Sequence, residues 1–166
     1  MKRSRFAAVV GAALLGPSTL AACAEDEPAS PSDTPIAAEF ALSTADVGDL
    51  GTVVVDGSGR TLYVFDKDTA DPPKSNCEGD CATAWPPVEA GSGTPELDGI
   101  DASLVGTVER SDGSQQLTLA GWPLYLFAKD TKAGDAKGQA VGDVWWVVGP
   151  DGKKISKKVP ATTGGY

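Results

Sequence analysis

One six-residue stretch occurs twice in the chain and constrains the fold more than any other feature. Tyr63-Val64-Phe65-Asp66-Lys67-Asp68 returns as Tyr125-Leu126-Phe127-Ala128-Lys129-Asp130, each copy reading Tyr-x-Phe-x-x-Asp. Each copy is followed at nearly the same distance by a tryptophan segment, Trp85-Pro86-Pro87-Val88 after the first and Trp145-Trp146-Val147-Val148 after the second. The duplicated unit is therefore tens of residues long, and its copies are expected to share one core. Around the first copy, Thr52 to Val55 and Arg60 to Phe65 flank Asp56-Gly57-Ser58-Gly59, which reads as a hairpin. In the returning run Thr61, Tyr63 and Phe65 share one face and Leu62 and Val64 the other, so this strand is expected to be buried on both sides.

The second copy has Leu104 to Arg110, a turn at Ser111 to Ser114, Gln115 to Leu119, a tight turn at Ala120-Gly121, and Trp122 to Phe127. Pro150-Asp151-Gly152 signals a further turn. No segment keeps helical periodicity over ten residues, and Cys81 to Trp85 predicts one helical turn stopped by Pro86-Pro87. The Gly-rich stretch from Ala90 to Asp101 predicts little order. The expected fold is all-β: a small barrel or sandwich of two hairpin-rich units, about 48–90 and 104–152, related by a pseudo-twofold axis.

The N-terminus specifies an address. Lys2, Arg3 and Arg5 precede an uncharged apolar run from Phe6 to Leu15, and Leu20-Ala21-Ala22 runs directly into Cys23. A basic start, a short apolar run and small residues before a cysteine resemble a lipoprotein signal peptide over 1–22. That resemblance implies a diacylglycerol thioether on Cys23, two acyl chains being enough for stable anchoring. The protein is expected outside the cytoplasm, held to the cell membrane or outer membrane by this lipid. Residues 23–43 are rich in Ala, Glu, Asp, Pro, Ser and Thr and read as a disordered tether, about 25 Å in root-mean-square span if flexible. A single β-domain over 44–158 and a flexible tail over 159–166 complete the expected organisation.

The whole chain has a formal charge of −9, and three basic residues would leave with the signal while all 23 acidic ones stay. Such a surface repels nucleic acid and anionic headgroups, so no nucleic-acid partner is expected. There is no histidine and the only methionine is Met1. This removes Ser-His-Asp and Cys-His catalysis, most zinc sites and His-ligated haem, so no catalytic residue, metal or cofactor is expected. Asp66, Asp68, Asp71, Glu78 and Asp80 form an acidic loop lacking the glycine and distal glutamate of an EF-hand; a solvated loop is the favoured reading, with cation binding as an alternative.

With Cys23 assigned to lipid, Cys77 and Cys81 remain as a pair in an oxidising compartment. As a disulfide they close a short loop in which Gly79 supplies the turn. As a redox pair they would need a lowered thiol pKa, which acidic Glu78 and Asp80 oppose; as a metal site they offer only two soft ligands. The disulfide is the favoured reading.

Thr61 to Asp68, Cys77 with Cys81 and Trp85-Pro86-Pro87, Arg110-Ser111-Asp112-Gly113, Gly121 to Tyr125, and Trp145 with Asp151-Gly152 together resemble the bacterial secreted-repeat lipoprotein family, predicted lipoproteins with a Tyr-x-aromatic-x-x-Asp motif. The likeness runs over roughly 48–152. It departs at Leu119, where such sequences often carry an aromatic. Because the family is a repeat of unknown function, the resemblance implies an address and an architecture, and no reaction.

The motif itself admits two readings. Tyr63, Phe65, Asp68 and Trp85, with Tyr125, Phe127, Asp130 and Trp145, could form aromatic platforms for a small flat ligand. Alternatively the rings fill the core while Asp68 and Asp130 tie down their loops by accepting backbone N–H bonds. Duplication favours the second, since a repeated unit must repeat its core. The expected role is a non-catalytic binding or structural module of the cell envelope, with an envelope protein or small ligand as partner. The alternatives are a redox accessory using Cys77 and Cys81, or a cation-binding protein.

Overall fold

The structure is a computed structural model and describes residues 41–157. The signal segment 1–22, Cys23, the tether up to residue 40 and the tail 159–166 lie outside the described residues. The elements are β1 (Ala41–Asp46), β2 (Thr52–Asp56), β3 (Tyr63–Phe65), the two-residue strands β4 (Thr69–Ala70) and β5 (Pro73–Lys74), the single helical turn α1 (Asp80–Ala84), β6 (Glu96–Leu97), β7 (Val105–Glu109), β8 (Gln115–Leu119), β9 (Trp122–Pro123) and β10 (Trp145–Val147).

β1 corrects the sequence reading in two ways. It starts at Ala41, inside the stretch assigned to the tether, and it supplies a first strand that the unit boundary at about 48 leaves out. Only Leu42 of this strand is fully buried, and the remaining support comes from antiparallel pairing with β2, from Leu42↔Asp56 to Asp46↔Thr52. A strand held mainly by its partner carries little apolar pattern of its own. A second correction concerns 90–101, where β6 pairs in parallel with the outer edge of β1 and the Asp98 N–H donates to the Leu42 carbonyl.

The strands form short sheets ordered β2-β1-β6, β7-β8-β9, β10-β3 and β4-β5, and the described strands do not close into a barrel. β7 and β8 pair as β1 and β2 do, from Val105↔Leu119 to Glu109↔Gln115. The two units then exchange their tryptophan segments. Val54 N–H donates to the Val148 carbonyl and Val148 N–H to the Leu62 carbonyl; in the mirror arrangement Leu117 N–H donates to Val88 and Val88 N–H to Leu124. Likewise Asp66 N–H reaches Val144 as Ala128 N–H reaches Ala84. Each unit's sheet is thus completed by the other unit's strand, so neither copy is a closed structure alone.

The axis of this exchange passes between Tyr63 and Tyr125, whose backbones bond to each other in both directions at 2.8 and 2.9 Å. Side-chain alternation divides the interior into two cores. Tyr63 and Phe65 point into one, with Trp85, Tyr125, Phe127, Trp145 and Cys77. Leu62 and Val64 point into the other, with Val88, Leu117, Leu124 and Trp146. β3 is buried on both faces because it lies between them.

Candidate functional site

The repeated motif converges on the centre of the molecule. Each motif supplies a tyrosine whose phenol leaves its own unit. Tyr63 Oη donates to Asp130 Oδ2 at 2.5 Å, and Tyr125 Oη donates to Asp68 Oδ2 at 2.6 Å. The other oxygen of each carboxylate closes its own loop: Asp68 Oδ1 accepts from Asn76 N–H at 2.7 Å, and Asp130 Oδ1 accepts from Lys137 N–H at 3.0 Å. The spacing follows from the strand geometry. Tyr and Phe two residues apart share the inward face, and the chain turns after the Phe so that Asp68 and Asp130 bond back to the Phe65 and Phe127 carbonyls.

Each phenol also accepts one bond. Gly138 N–H donates to Tyr63 Oη at 3.2 Å. Ser75 lies 2.7 Å from Tyr125 Oη and itself accepts from Arg110 Nη1 and Cys77 N–H, so the serine hydroxyl donates to the phenol. Burial, and then the neighbouring carboxylate, raise the pKa of both tyrosines far above the ordinary value, so the phenols stay protonated. Burial likewise raises Asp68 and Asp130, against the opposing pull of the phenolic and backbone hydrogen bonds.

Beside this exchange stands a column of four rings drawn alternately from the two units: Phe65, Trp145, Trp85, Phe127. Successive centroids are 4.1, 3.9 and 4.2 Å apart. Tyr63 meets Trp85 edge-on at 5.3 Å and Tyr125 meets Trp145 edge-on at 5.1 Å. All six rings are buried. Successive rings cover one another's facing sides, so among the described residues no ring of this column stands exposed as a platform for a flat ligand. Gly138 permits the approach, since a Cβ there would stand 2.7 Å from Tyr63 Cε1 and 2.8 Å from Trp85 Cη2.

The eight motif residues singled out in the sequence are therefore brought together, and Cys77 and Cys81 lie beside them as a disulfide with Cα atoms 5.2 Å apart. The acidic loop does not converge. Asp66 turns outward to Trp146 Nε1 and Lys154 Nζ while Asp68 turns inward, and among the described residues no three His, Cys, Asp or Glu side chains form a group that could hold a metal ion. No helix of the described residues is long and apolar enough to cross a membrane.

Sequence reasoning missed a second buried group. Arg110, on the turn after β7, donates from Nη1 to Ser75 Oγ and Gln116 Oε1 and from Nη2 to the Cys77 carbonyl, at 2.6–2.8 Å. Gln116 is fully buried on β8 and donates to the Leu124 carbonyl. Arg110 Nε has no hydrogen-bond partner among the described residues. The signal available was the register of the repeats: Arg110 and Gln116 occupy the places of Val47 and Val53, and a polar pair where the other copy has valines marks a built polar site.

No curated protein and no solved structure matches the chain. A protein family described as a secreted repeat of unknown function matches residues 44–89 and 106–149, one copy on each structural unit and together more than half of the chain. The protein belongs to this family of secreted repeats and is accordingly an extracytoplasmic protein.

Proposed function

We propose that the protein is a lipid-anchored module of the cell envelope that acts by binding or bracing and not by turnover. The observation that carries this reading is the exchange of phenols between repeats: Tyr63 on Asp130 and Tyr125 on Asp68 commit the most distinctive residues to holding the two copies together. A hydrogen bond from a phenol to a carboxylate contributes about 1.5–3 kcal/mol, and here two of them span the interface. With the ring faces occupied internally, the partner is another envelope protein in preference to a small flat ligand. Cycling of Cys77 and Cys81 has less support, because Cys77 is fully buried and its carbonyl is held by Arg110. The Leu-Ala-Ala-Cys segment ending at Cys23 supports lipid as the attachment.

The test is to isolate the native protein from membranes and weigh its N-terminal peptide. A diacylglycerol mass on Cys23, with release of the Cys23→Ser protein to the soluble fraction, is the expected result. An unmodified Cys23 in a protein that never enters the membrane fraction would overturn the anchor.

A further inference from the structure

Two features of the centre go beyond what a clamp between repeats requires. The indoles of Trp85 and Trp145 lie face to face, with centroids 3.9 Å and planes 4° apart. Aromatic pairs governed by their quadrupoles prefer offset or edge-to-face arrangements at about 4.5–7 Å. Each phenol that meets this pair edge-on also has a carboxylate oxygen already in place to receive its proton, at 2.5 Å for Tyr63 and 2.6 Å for Tyr125. The geometry points to a further activity: the Trp85–Trp145 pair accepts an oxidising equivalent from a radical oxidant and passes it to Tyr63, which stores it as a neutral tyrosyl radical with Asp130 holding the proton.

The step balances. A one-electron oxidant of the radical class removes one electron from the stacked indoles and is reduced by it. The overlapping rings share the positive hole. An electron then moves from the Tyr63 phenol to the indole pair while the phenolic proton crosses to Asp130 Oδ2. The indoles are restored, the tyrosine oxygen becomes a neutral radical, and the carboxylate becomes a neutral acid. The single positive charge gained by the protein matches the electron lost. A thiol-class one-electron donor reverses the sequence by returning the electron, and the proton goes back from Asp130 to the phenol.

The surroundings favour this outcome. A buried phenol that lost its electron and kept its proton would leave an unpaired positive charge in a low-dielectric interior, so a carboxylate within hydrogen-bond distance is what makes oxidation feasible there. The packed column keeps bulk water and a second radical away from the oxidised ring. The two couples are not equivalent. Ser75, which donates to Tyr125 Oη, also accepts from the buried Arg110 guanidinium at 2.8 Å, so a fixed positive charge stands beside the Tyr125–Asp68 couple and opposes its oxidation, whereas Tyr63 Oη accepts from the neutral Gly138 N–H. At Asp130 the neighbouring Lys137 ammonium is instead more than half exposed and already paired with Asp135 Oδ2 at 2.8 Å. The Tyr63–Asp130 couple is therefore where the oxidising equivalent comes to rest.

The experiment is pulse radiolysis with azide radicals on full-length protein carrying Tyr166→Phe, which leaves Tyr63 and Tyr125 of the three tyrosines. The absorption of the tryptophan radical is expected to give way to that of tyrosyl. Asp130→Asn, which keeps the shape and an acceptor oxygen but cannot take the proton as a carboxylate does, slows the conversion by at least an order of magnitude, and Tyr63→Phe abolishes it. Near-ultraviolet circular dichroism checks that each variant keeps the ring column. Because Asp130→Asn could disturb the fold, the parent protein is also measured in deuterated buffer, where coupled proton transfer slows the conversion. Tryptophan radicals that decay without tyrosyl, an unchanged rate in folded Asp130→Asn, or a rate indifferent to deuterium would each overturn the assignment.

Discussion

The two repeats fold alike and fill equivalent positions with opposite chemistry. In the first, Val47 and Val53 pack against the aromatic core. In the second, Arg110 and Gln116 stand at the same places and knit Ser75, the Cys77 carbonyl and the Leu124 carbonyl into one polar network. A parallel difference separates the loops that follow the motifs. The first closes with α1 and the Cys77–Cys81 disulfide, while the second puts Gly138 at the place of Cys77 and closes with a 3-10 turn over Val141–Asp143. Arg110 reaches from the second repeat to the loop of the first. The symmetric exchange of tyrosines thus makes the interface, and the asymmetric arginine braces the half that carries the disulfide.

The largest effect is expected from importing the first repeat's chemistry into the second one residue at a time. Arg110→Val removes the guanidinium's bonds to the buried Ser75 Oγ, Gln116 Oε1 and Cys77 carbonyl, and urea unfolding should show a loss of about 3 kcal/mol. Adding Gln116→Val removes one of the stranded groups, so the double variant should be more stable than Arg110→Val alone. A double variant that simply sums two losses would mean that Arg110 and Gln116 do not act as a unit. Next in size is the disulfide. Cys77→Ser with Cys81→Ser opens a short loop and should cost about 2 kcal/mol by the loop-entropy argument. If the brace reaches this loop, the cost of the serine pair measured in the Arg110→Val background should differ from its cost in the parent, and a double-mutant cycle reads that coupling directly.

The smallest effect is a dependence on pH. Burial holds the Asp130 carboxyl above its ordinary value of 3.8, so the folded protein binds this proton more readily than the unfolded chain. The stabilisation from that group is complete below 3.8 and fades as pH rises through the folded value. Asp135 acts in the opposite sense: its hydrogen bonds with Lys137 and the Thr131 N–H bring it down to about 2, so its contribution is lost only as pH falls below 3.8. Asp130→Asn should therefore flatten the decline in stability as pH rises above 3.8 and leave the acid limb in place. An unchanged slope would show that Asp130 does not titrate differently on folding.

Much of this was legible in the chain itself. The Tyr-x-Phe-x-x-Asp copies and their trailing tryptophans show a duplication, alternation in Thr61 to Phe65 shows a strand with two apolar faces, and the absent histidine narrows the chemistry. These are local signals: spacing and alternation are properties of the backbone that a short window records. What the sequence did not reveal is which copy each residue would serve. Tyr63 bonds to an aspartate 67 positions away and not to the Asp68 of its own motif, and Trp85 stacks on Trp145. Nor did it mark β1, whose single fully buried side chain, Leu42, leaves pairing with β2 to define it, or the buried role of Arg110, a residue type usually found in water. Within a duplicated chain, pairing inside a unit and pairing between units satisfy the same local pattern. Only the tertiary structure decides between them, because the choice depends on which arrangement buries both tryptophan segments and leaves each phenol with a carboxylate to hold.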